Sequence, residues 1–273
     1  ARIGGDIFSW DDFLEQGIDR VLHTYPWHNT VFYADADNLI LRPEFSTPEQ
    51  ARTRVSFYGL AGLPVTLGDE LSKLDRERIH MLRRIMPVVD IHPSELDSKR
   101  HGRYFQITSL AVARPFGSWN VTGITNLTQE ERTVTLDLLK DLDLPPARYA
   151  VYDYWNRRFL GIFHERLELT LKPFDTGVLR ITPLADGIPA VVSISRHLTQ
   201  GGYELAELSS AAEWIGGTVL CVSEEPCAVT ILLPDNCGGV RSSHPFVRNG
   251  QLVELTLCSG TGGAVSWSLD IGK

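Results

Sequence analysis

Hydrophobic and polar positions over the first 96 residues alternate between helical and strand-like periods. Apolar residues recur at helical spacing after Ser9, which forms a capping-box pattern with Asp12. Thr47 begins a second helical pattern and Asp75 begins a third. Two short apolar runs between these helices predict buried strands, at residues 31–34 and 63–67.

This order of helix, strand, helix, strand and helix is typical of a parallel sheet or of a (β/α) barrel. Two strands are too few to complete such a sheet. We therefore expect further strands that precede Ala1 or belong to another chain. The chain starts without an initiator methionine or a signal peptide, which is in keeping with that expectation.

From about Tyr104 onward the pattern changes to short β-branched and aromatic runs separated by turn residues. The predicted strands are residues 105–112, 119–126, 133–138, 149–154, 167–171, 178–183, 190–195, 219–222, 229–233, 252–257 and 264–271. This succession favours an antiparallel β-sandwich. We predict two domains, residues 1–96 and 97–273, with a polar linker at residues 92–103 and a weaker boundary near Asp186.

Composition limits the classes of function. The 273 residues carry a formal net charge of −8, which argues against a nucleic-acid partner, because such binding rests on Lys and Arg contacts to phosphates. No apolar run reaches the roughly 20 residues of a membrane-spanning helix, so we expect no membrane partner. The histidines lack the spacing of metal ligands, and we expect no metal and no cofactor.

The four cysteines, Cys221, Cys227, Cys237 and Cys258, lie in the last quarter of the chain and form no Cys-x-x-Cys pair. Cys221 and Cys227 flank a turn-like stretch, where the two strands of a hairpin would bring them face to face. Buried free thiols and at least one disulfide both remain open from the sequence. The cellular compartment therefore remains open as well.

Carboxylates occur at three places where a βα unit would direct them to an active site. Asp6 precedes the first helix, and Asp35 and Asp37 follow the first predicted strand. Asp69 follows the second predicted strand. The carboxyl ends of barrel strands face the active site, and clustered carboxylates there suit glycoside hydrolysis. Each aspartate could instead brace a turn or cap a helix, and this alternative is strongest for Asp69.

Segments along the whole chain resemble the motifs of one enzyme group. Residues 2–7, followed by Trp10, resemble the segment R-x-x-G-D-I…W, and residues 33–39 resemble W-N-D-P-D-M-L. Residues 51–71 resemble the last helix and strand of the same barrel. Three later segments resemble the C-terminal region of the same enzymes: residues 115–126, 152–155 and 195–201. The group is that of the α-galactosidases and melibiases, glycoside hydrolase families 27 and 36.

The resemblance implies the C-terminal part of a (β/α)8 TIM barrel followed by a β-sandwich, in a retaining α-glycosidase. It places Asp6 at the position of the general acid/base, and Arg2, Asp35, Asp37 and Trp10 among the substrate-binding residues. The nucleophile of the family lies on earlier barrel strands. We therefore expect two partners, a carbohydrate substrate and a missing N-terminal barrel segment or partner chain.

Departures from the family pattern leave the sugar open. Tyr33, Ala34 and Ala36 replace the Trp, Asn and Pro of the second motif, and related enzymes act on α-glucosides, α-N-acetylgalactosaminides and β-L-arabinopyranosides. A structural ion pair for Arg2 and core packing for Trp10 are the alternatives to substrate contact. Two alternatives to an enzyme remain open from the sequence. The chain could be a non-catalytic carbohydrate-binding or scaffolding module, or a structural interaction domain without affinity for sugar.

Overall fold

The computed structural model describes residues 1–93, 95–97, 104–235 and 237–272. The chain divides into two compact units. The first unit comprises Ala1–Leu110, Thr122–Leu144 and Arg166–Val178. The second unit comprises Ala111–Val121, Pro145–Glu165 and Leu179–Lys273. Residues 94 and 98–103 of the predicted linker lie outside the described residues, and the domain boundary between residues 96 and 97 stays a prediction.

Helices of the first unit form where the capping patterns predict them. Ser9, Thr47 and Asp75 each accept a hydrogen bond from the backbone N–H three residues further on. The helical elements are α1 (Trp10–Asp12), a π-helical segment (Phe13–Asp19), α2 (Arg20–Thr24), a 3-10 turn (Tyr25–Trp27), α3 (Pro48–Ala61), a second 3-10 turn (Leu71–Lys73) and α4 (Arg76–Arg83). Among the described residues no helix is both long enough and apolar enough to cross a membrane.

The strand predicted at residues 31–34 does not form, which corrects that prediction. Val31 and Tyr33 are 73% and 55% exposed, and the chain turns there. The strand lies a few residues further on, where β1 (Asn38–Leu39) pairs in parallel with β2 (Thr66–Leu67). The physical reason is burial, because the apolar residues from position 39 to 41 are enclosed whereas the earlier run is open to solvent.

Parallel pairing in the first unit also includes the start of the chain. Arg2 and Asp35 form an isolated parallel bridge, in which the Ile3 N–H donates to the Asp35 carbonyl at 3.1 Å. β1 and β2 form a two-stranded sheet. Parallel pairing is the strand arrangement of a barrel, and the C-terminal part of a (β/α)8 barrel stays a prediction for these segments.

The strands predicted beyond Tyr104 all form, with shifted ends. The remaining strands are β3 (Glu95–Asp97), β4 (Phe105–Arg114), β5 (Gly117–Asn126), β6 (Arg132–Asp137), β7 (Tyr149–Asp153), β8 (Arg158–Phe163), β9 (Arg166–Leu171), β10 (Thr176–Pro183), β11 (Ala190–Ile194), β12 (Leu205–Ala211), β13 (Trp214–Cys221), β14 (Cys227–Leu232), β15 (Val240–Ser242), β16 (Phe246–Asn249), β17 (Leu252–Leu257) and β18 (Gly263–Ile271). One sheet has six strands in the order β3-β4-β5-β10-β7-β8, and β6 pairs with β9.

The second unit contains two antiparallel four-stranded sheets, in the orders β11-β14-β17-β16 and β12-β13-β18-β15. In β17 every second residue is buried: Val253, Leu255 and Leu257. Such alternation gives each sheet one apolar face, and full burial of a side chain of this size contributes about 1.5–3 kcal/mol. The pair of sheets fits the predicted β-sandwich.

Candidate active site

A guanidinium and two carboxylates meet near the start of the chain. The Nη2 atom of Arg2 lies 2.8 Å from Asp6 Oδ1 and 3.0 Å from Asp37 Oδ1. The Asp6 side chain is 74% exposed, whereas the Asp37 side chain is 8% exposed. One arginine therefore connects a carboxylate that is open to solvent with a carboxylate inside the fold, and it orients the exposed one.

Short polar contacts hold the backbone around Asp37. This residue has a φ of 67°, in the left-handed region that aspartate tolerates better than most residues, and its N–H donates to Asp35 Oδ1 at 3.0 Å. Its Oδ2 accepts the Ile7 N–H at 2.8 Å. The Tyr58 hydroxyl donates to the Ala36 carbonyl at 2.7 Å, and burial raises the pKa of Tyr58, so this donor stays protonated. The buried carboxylate is thereby fixed in place.

The turn that presents Asp6 is held on both sides. Before it, the Gly5 N–H donates to Gln16 Oε1 at 2.9 Å. After it, Arg54 Nη2 donates to the Ser9 carbonyl at 2.7 Å and to the preceding carbonyl at 3.2 Å. The exposed carboxylate therefore projects from a backbone that is anchored to the π-helical segment and to α3.

Arg54 is a site residue that sequence reasoning missed. It is buried, its guanidinium carbon lies 4.9 Å from the centroid of the Phe13 ring, and its Nε and Nη1 have no hydrogen-bond partner among the described residues. Burial lowers the pKa of Arg54 to about 10. The sequence contains a signal, because Arg54 falls on the stripe of α3 marked by Ala51, Val55 and Tyr58, and this stripe is buried.

The remaining substrate-binding candidates are Asp35 and Trp10. Asp35 is half-buried, and its carboxylate accepts the hydrogen bond that closes the turn at Asp37. Trp10 is buried against Phe13 and Phe174, with ring centroids 5.4 Å and 4.9 Å away. This position is the core packing considered as the alternative for Trp10, and contact with a sugar stays a prediction.

Asp69 has bracing contacts. Its side chain is buried, its Oδ1 lies 2.8 Å from Arg42 Nη1, and its Oδ2 accepts the Leu41 N–H. These contacts tie the end of β2 to the chain that follows β1. They match the structural alternative considered for this residue.

The arrangement brings Arg2, Asp6, Asp35 and Asp37 into one group. An exposed carboxyl group on an anchored turn, with a fixed cation beside it, has the access and orientation that general acid/base chemistry requires. The buried Asp37 holds the arginine from the opposite side. In the part of the chain that the structure describes, no set of three or more His, Cys, Asp or Glu side chains could hold a metal ion.

Comparison with known proteins gives matches among solved structures. No protein-family model matches the chain, and no curated protein matches it. A family 27 β-L-arabinopyranosidase from Geobacillus stearothermophilus is similar with a TM-score of 0.54 and 16% identity, over 67% of this chain and 45% of that chain. An α-galactosidase from Saccharomyces cerevisiae is similar with a TM-score of 0.54 and 12% identity, over 67% and 59% of the two chains.

A third similar structure is a putative α-N-acetylgalactosaminidase from Bacillus halodurans, with a TM-score of 0.52 and 16% identity, over 67% of this chain and 46% of that chain. The chain thus spans about half the length of these structures. At such low identity the likeness concerns the fold. The resemblance to the α-galactosidase group is confirmed at that level, because the chain shares two thirds of its length with the fold of family 27 glycoside hydrolases.

Proposed function

We propose that the chain is the C-terminal portion of a retaining α-glycosidase of α-galactosidase type, with Asp6 as its general acid/base. The observation that carries the proposal is the exposed Asp6 carboxylate, held 2.8 Å from Arg2 on an anchored turn. The Arg2–Asp35 parallel bridge beside it supports the proposal, because the strands of such a barrel pair in parallel. The fold shared with family 27 enzymes supports a glycosidase.

In this mechanism Asp6 protonates the glycosidic oxygen as the leaving group departs, while a second carboxylate attacks the anomeric carbon. Asp6 then takes a proton from the water that hydrolyses the glycosyl-enzyme. Arg2 orients Asp6 and, with Asp35, contacts hydroxyl groups of the sugar. Asp37 acts from a buried position through its ion pair with the arginine.

We propose further that the nucleophile comes from strands outside these 273 residues, in an adjoining segment or a partner chain. A two-stranded parallel sheet leaves strand edges to be paired, and bulky apolar side chains of the first unit are exposed. They include Phe8, Trp27, Val31 and Tyr33. The remaining barrel strands would cover them and bring a carboxylate to the far side of the sugar.

To test this proposal, the chain is expressed together with the remaining strands, either as the adjoining segment of the same gene or as a partner chain. Hydrolysis of 4-nitrophenyl α-galactoside and related glycosides is then measured. We expect turnover by the completed protein and none by the 273-residue chain alone. Turnover by the chain alone that is lost in Asp6→Asn would disprove the external nucleophile. A completed protein that binds sugar and hydrolyses none of these glycosides would instead be a carbohydrate-binding module.

The role of Asp6 is tested by the leaving group. In the completed protein, Asp6→Asn should lower kcat/KM, which reports the step that releases the leaving group, by about 10²–10⁴-fold for substrates with poor leaving groups. For nitrophenyl substrates kcat/KM should fall much less, because these leaving groups need little protonation. The matched control is Asp11→Asn, an exposed aspartate on α1 outside the arginine cluster. Equal losses for good and poor leaving groups would contradict an acid role for Asp6.

A further inference from the structure

Two buried cysteines of the second unit, Cys221 and Cys227, lie at the two ends of a short turn. Cys221 ends β13 and Cys227 begins β14, and these strands belong to different four-stranded sheets. Both cysteines are free thiols. A covalent bond between their sulfurs would therefore link the two sheets directly.

The turn between these cysteines is anchored. Ser223 forms an isolated bridge with Ser259, and its hydroxyl donates to the Gly260 carbonyl at 2.8 Å. The Glu224 N–H donates to the Ser259 carbonyl at 2.9 Å. These contacts fix the turn that joins the two strand ends, five residues long between the cysteines.

The two thiols interact, and the interaction shifts their pKa values in opposite directions. It lowers the pKa of the Cys221 thiol, as does the nearby charge of Arg196. It raises the pKa of the Cys227 thiol, as does burial. Because the thiolate is the nucleophile in disulfide exchange, Cys221 is suited to react first and Cys227 to complete the reaction.

We propose that Cys221 and Cys227 form a disulfide that joins the two sheets of the second unit, by exchange with a low-molecular-weight disulfide such as oxidised glutathione. Cys221 loses its proton to solvent and attacks one sulfur of the oxidant, which releases one glutathione thiolate. Cys227 then loses its proton and attacks the Cys221 sulfur of the mixed disulfide, which releases the second glutathione. Two protein thiols are oxidised, and one oxidant molecule is reduced to two thiols.

The experiment uses the full 273-residue chain with Cys237→Ser and Cys258→Ser, so that the buried pair is unchanged. The folded protein is exposed to oxidised glutathione, remaining thiols are alkylated, and a Glu-specific protease cleaves after Glu224, between the two cysteines. We expect two peptides linked by a disulfide, with a loss of two hydrogens and no bound glutathione. Reduction should restore both thiols.

Thermal unfolding gives an independent measurement. The oxidised form should unfold roughly 5 °C above the reduced form, because the crosslink restricts the unfolded chain. A second protein, Cys221→Ser in the same background, should show neither the linked peptides nor the shift. Peptides that remain unlinked, while exposed Cys258 of the unmodified chain becomes glutathionylated under the same conditions, would overturn the proposal. So would a linked form that unfolds at a lower temperature than the reduced form.

Discussion

Two groups of charged residues, both within the described part of the chain, differ in their access to water. In the first unit, Arg2 and Asp6 are 42% and 74% exposed at the side chain. In the second unit, Arg180 and Glu204 are buried; Arg180 donates to Thr182 Oγ1 at 3.0 Å and to the Gln200 carbonyl. The exposed cluster can meet a ligand at little cost to folding, whereas each ionisation in the buried cluster is coupled to stability.

The shifted pKa values accompany burial. Burial lowers the pKa of Arg180 to about 9 and raises the pKa of Glu204 to about 7. Glu204 accepts the His197 N–H at 3.2 Å, and its Oε2 has no hydrogen-bond partner among the described residues. Perturbed pKa values are often used to find active sites, but ion-pair networks inside a fold produce them too. In this protein the contacts of Arg180 and Glu204 are structural. Exposure to solvent is what distinguishes the candidate active site from this buried cluster.

We expect the largest effect for Arg180→Ala, a loss of about 4 kcal/mol in unfolding free energy. The substitution leaves two buried acceptors, Thr182 Oγ1 and the Gln200 carbonyl, without their donor and removes the guanidinium that lies 4.2 Å from the centroid of Trp119. Urea-induced unfolding measures the loss. The control Arg158→Ala, an exposed arginine at the start of β8, should change the free energy by no more than about 0.5 kcal/mol. Equal effects of the two substitutions would contradict a structural role for the buried cluster.

The second effect is a dependence of stability on pH that originates in Glu204. Its folded pKa of about 7 is above the ordinary value of 4.5, so its contribution is fully present below pH 4.5 and is lost as the pH rises through 7. Between pH 5 and 8 the unfolding free energy should fall by about 2–3 kcal/mol from this group. The lowered pKa of Arg180 acts near pH 9, outside this window.

Denaturant unfolding at several pH values measures this slope, and Glu204→Gln should flatten it. The matched control is Glu207→Gln, an exposed residue on β12 that should leave the slope unchanged. An unfolding free energy in Glu204→Gln that still falls by the same amount from pH 5 to pH 8 would assign the dependence to other groups. Protonation of Glu204 would then contribute less to stability than its burial leads us to expect.

Local signals in the sequence predicted much of this fold. Ser9, Thr47 and Asp75 begin helices through contacts with residues only three positions away, so the sequence contains the whole capping interaction. The prediction of a strand at residues 31–34 was wrong, because the choice between two neighbouring apolar runs depends on distant packing partners. β16 was missed because all four of its residues are exposed, and an edge strand without a buried face shows no alternation.

The residues of the candidate site likewise divide into those that a sequence motif predicts and those that depend on distant contacts. Arg2, Asp6 and Asp37 were found because a motif preserves their order along the chain. Arg54 was missed because its function depends on which carbonyl groups meet the buried face of α3, and these belong to a turn 45 residues earlier. The motif alone predicted that Trp10 contacts a sugar, whereas its observed packing against Phe174 depends on a residue far along the chain.

Arg54 combines features of the two groups. Its side chain is buried, as in the second unit, but it holds the turn that carries the exposed Asp6 carboxylate. Arg54→Met removes two hydrogen bonds and also a desolvated charge, so the unfolding free energy should fall by only about 1 kcal/mol. Amide hydrogen exchange across residues 6–9 should nevertheless become about tenfold faster. Arg52→Met on the same helix, which breaks an ion pair with Asp175, should leave that exchange unchanged. Unchanged exchange in Arg54→Met would mean that the turn is anchored without this arginine.

The smallest effect on stability is expected for Asp6→Asn. The carboxylate is exposed and its ion pair with Arg2 is open to water, so the unfolding free energy should change by no more than about 0.5 kcal/mol. Asp37→Asn, at the buried end of the same arginine, should cost more, because it weakens the ion pair inside the fold and the acceptor of the Ile7 N–H. Urea unfolding of the two variants measures this difference. A larger loss for Asp6→Asn than for Asp37→Asn would make Asp6 a structural residue, and the exposed cluster would then follow the same rule as the buried one.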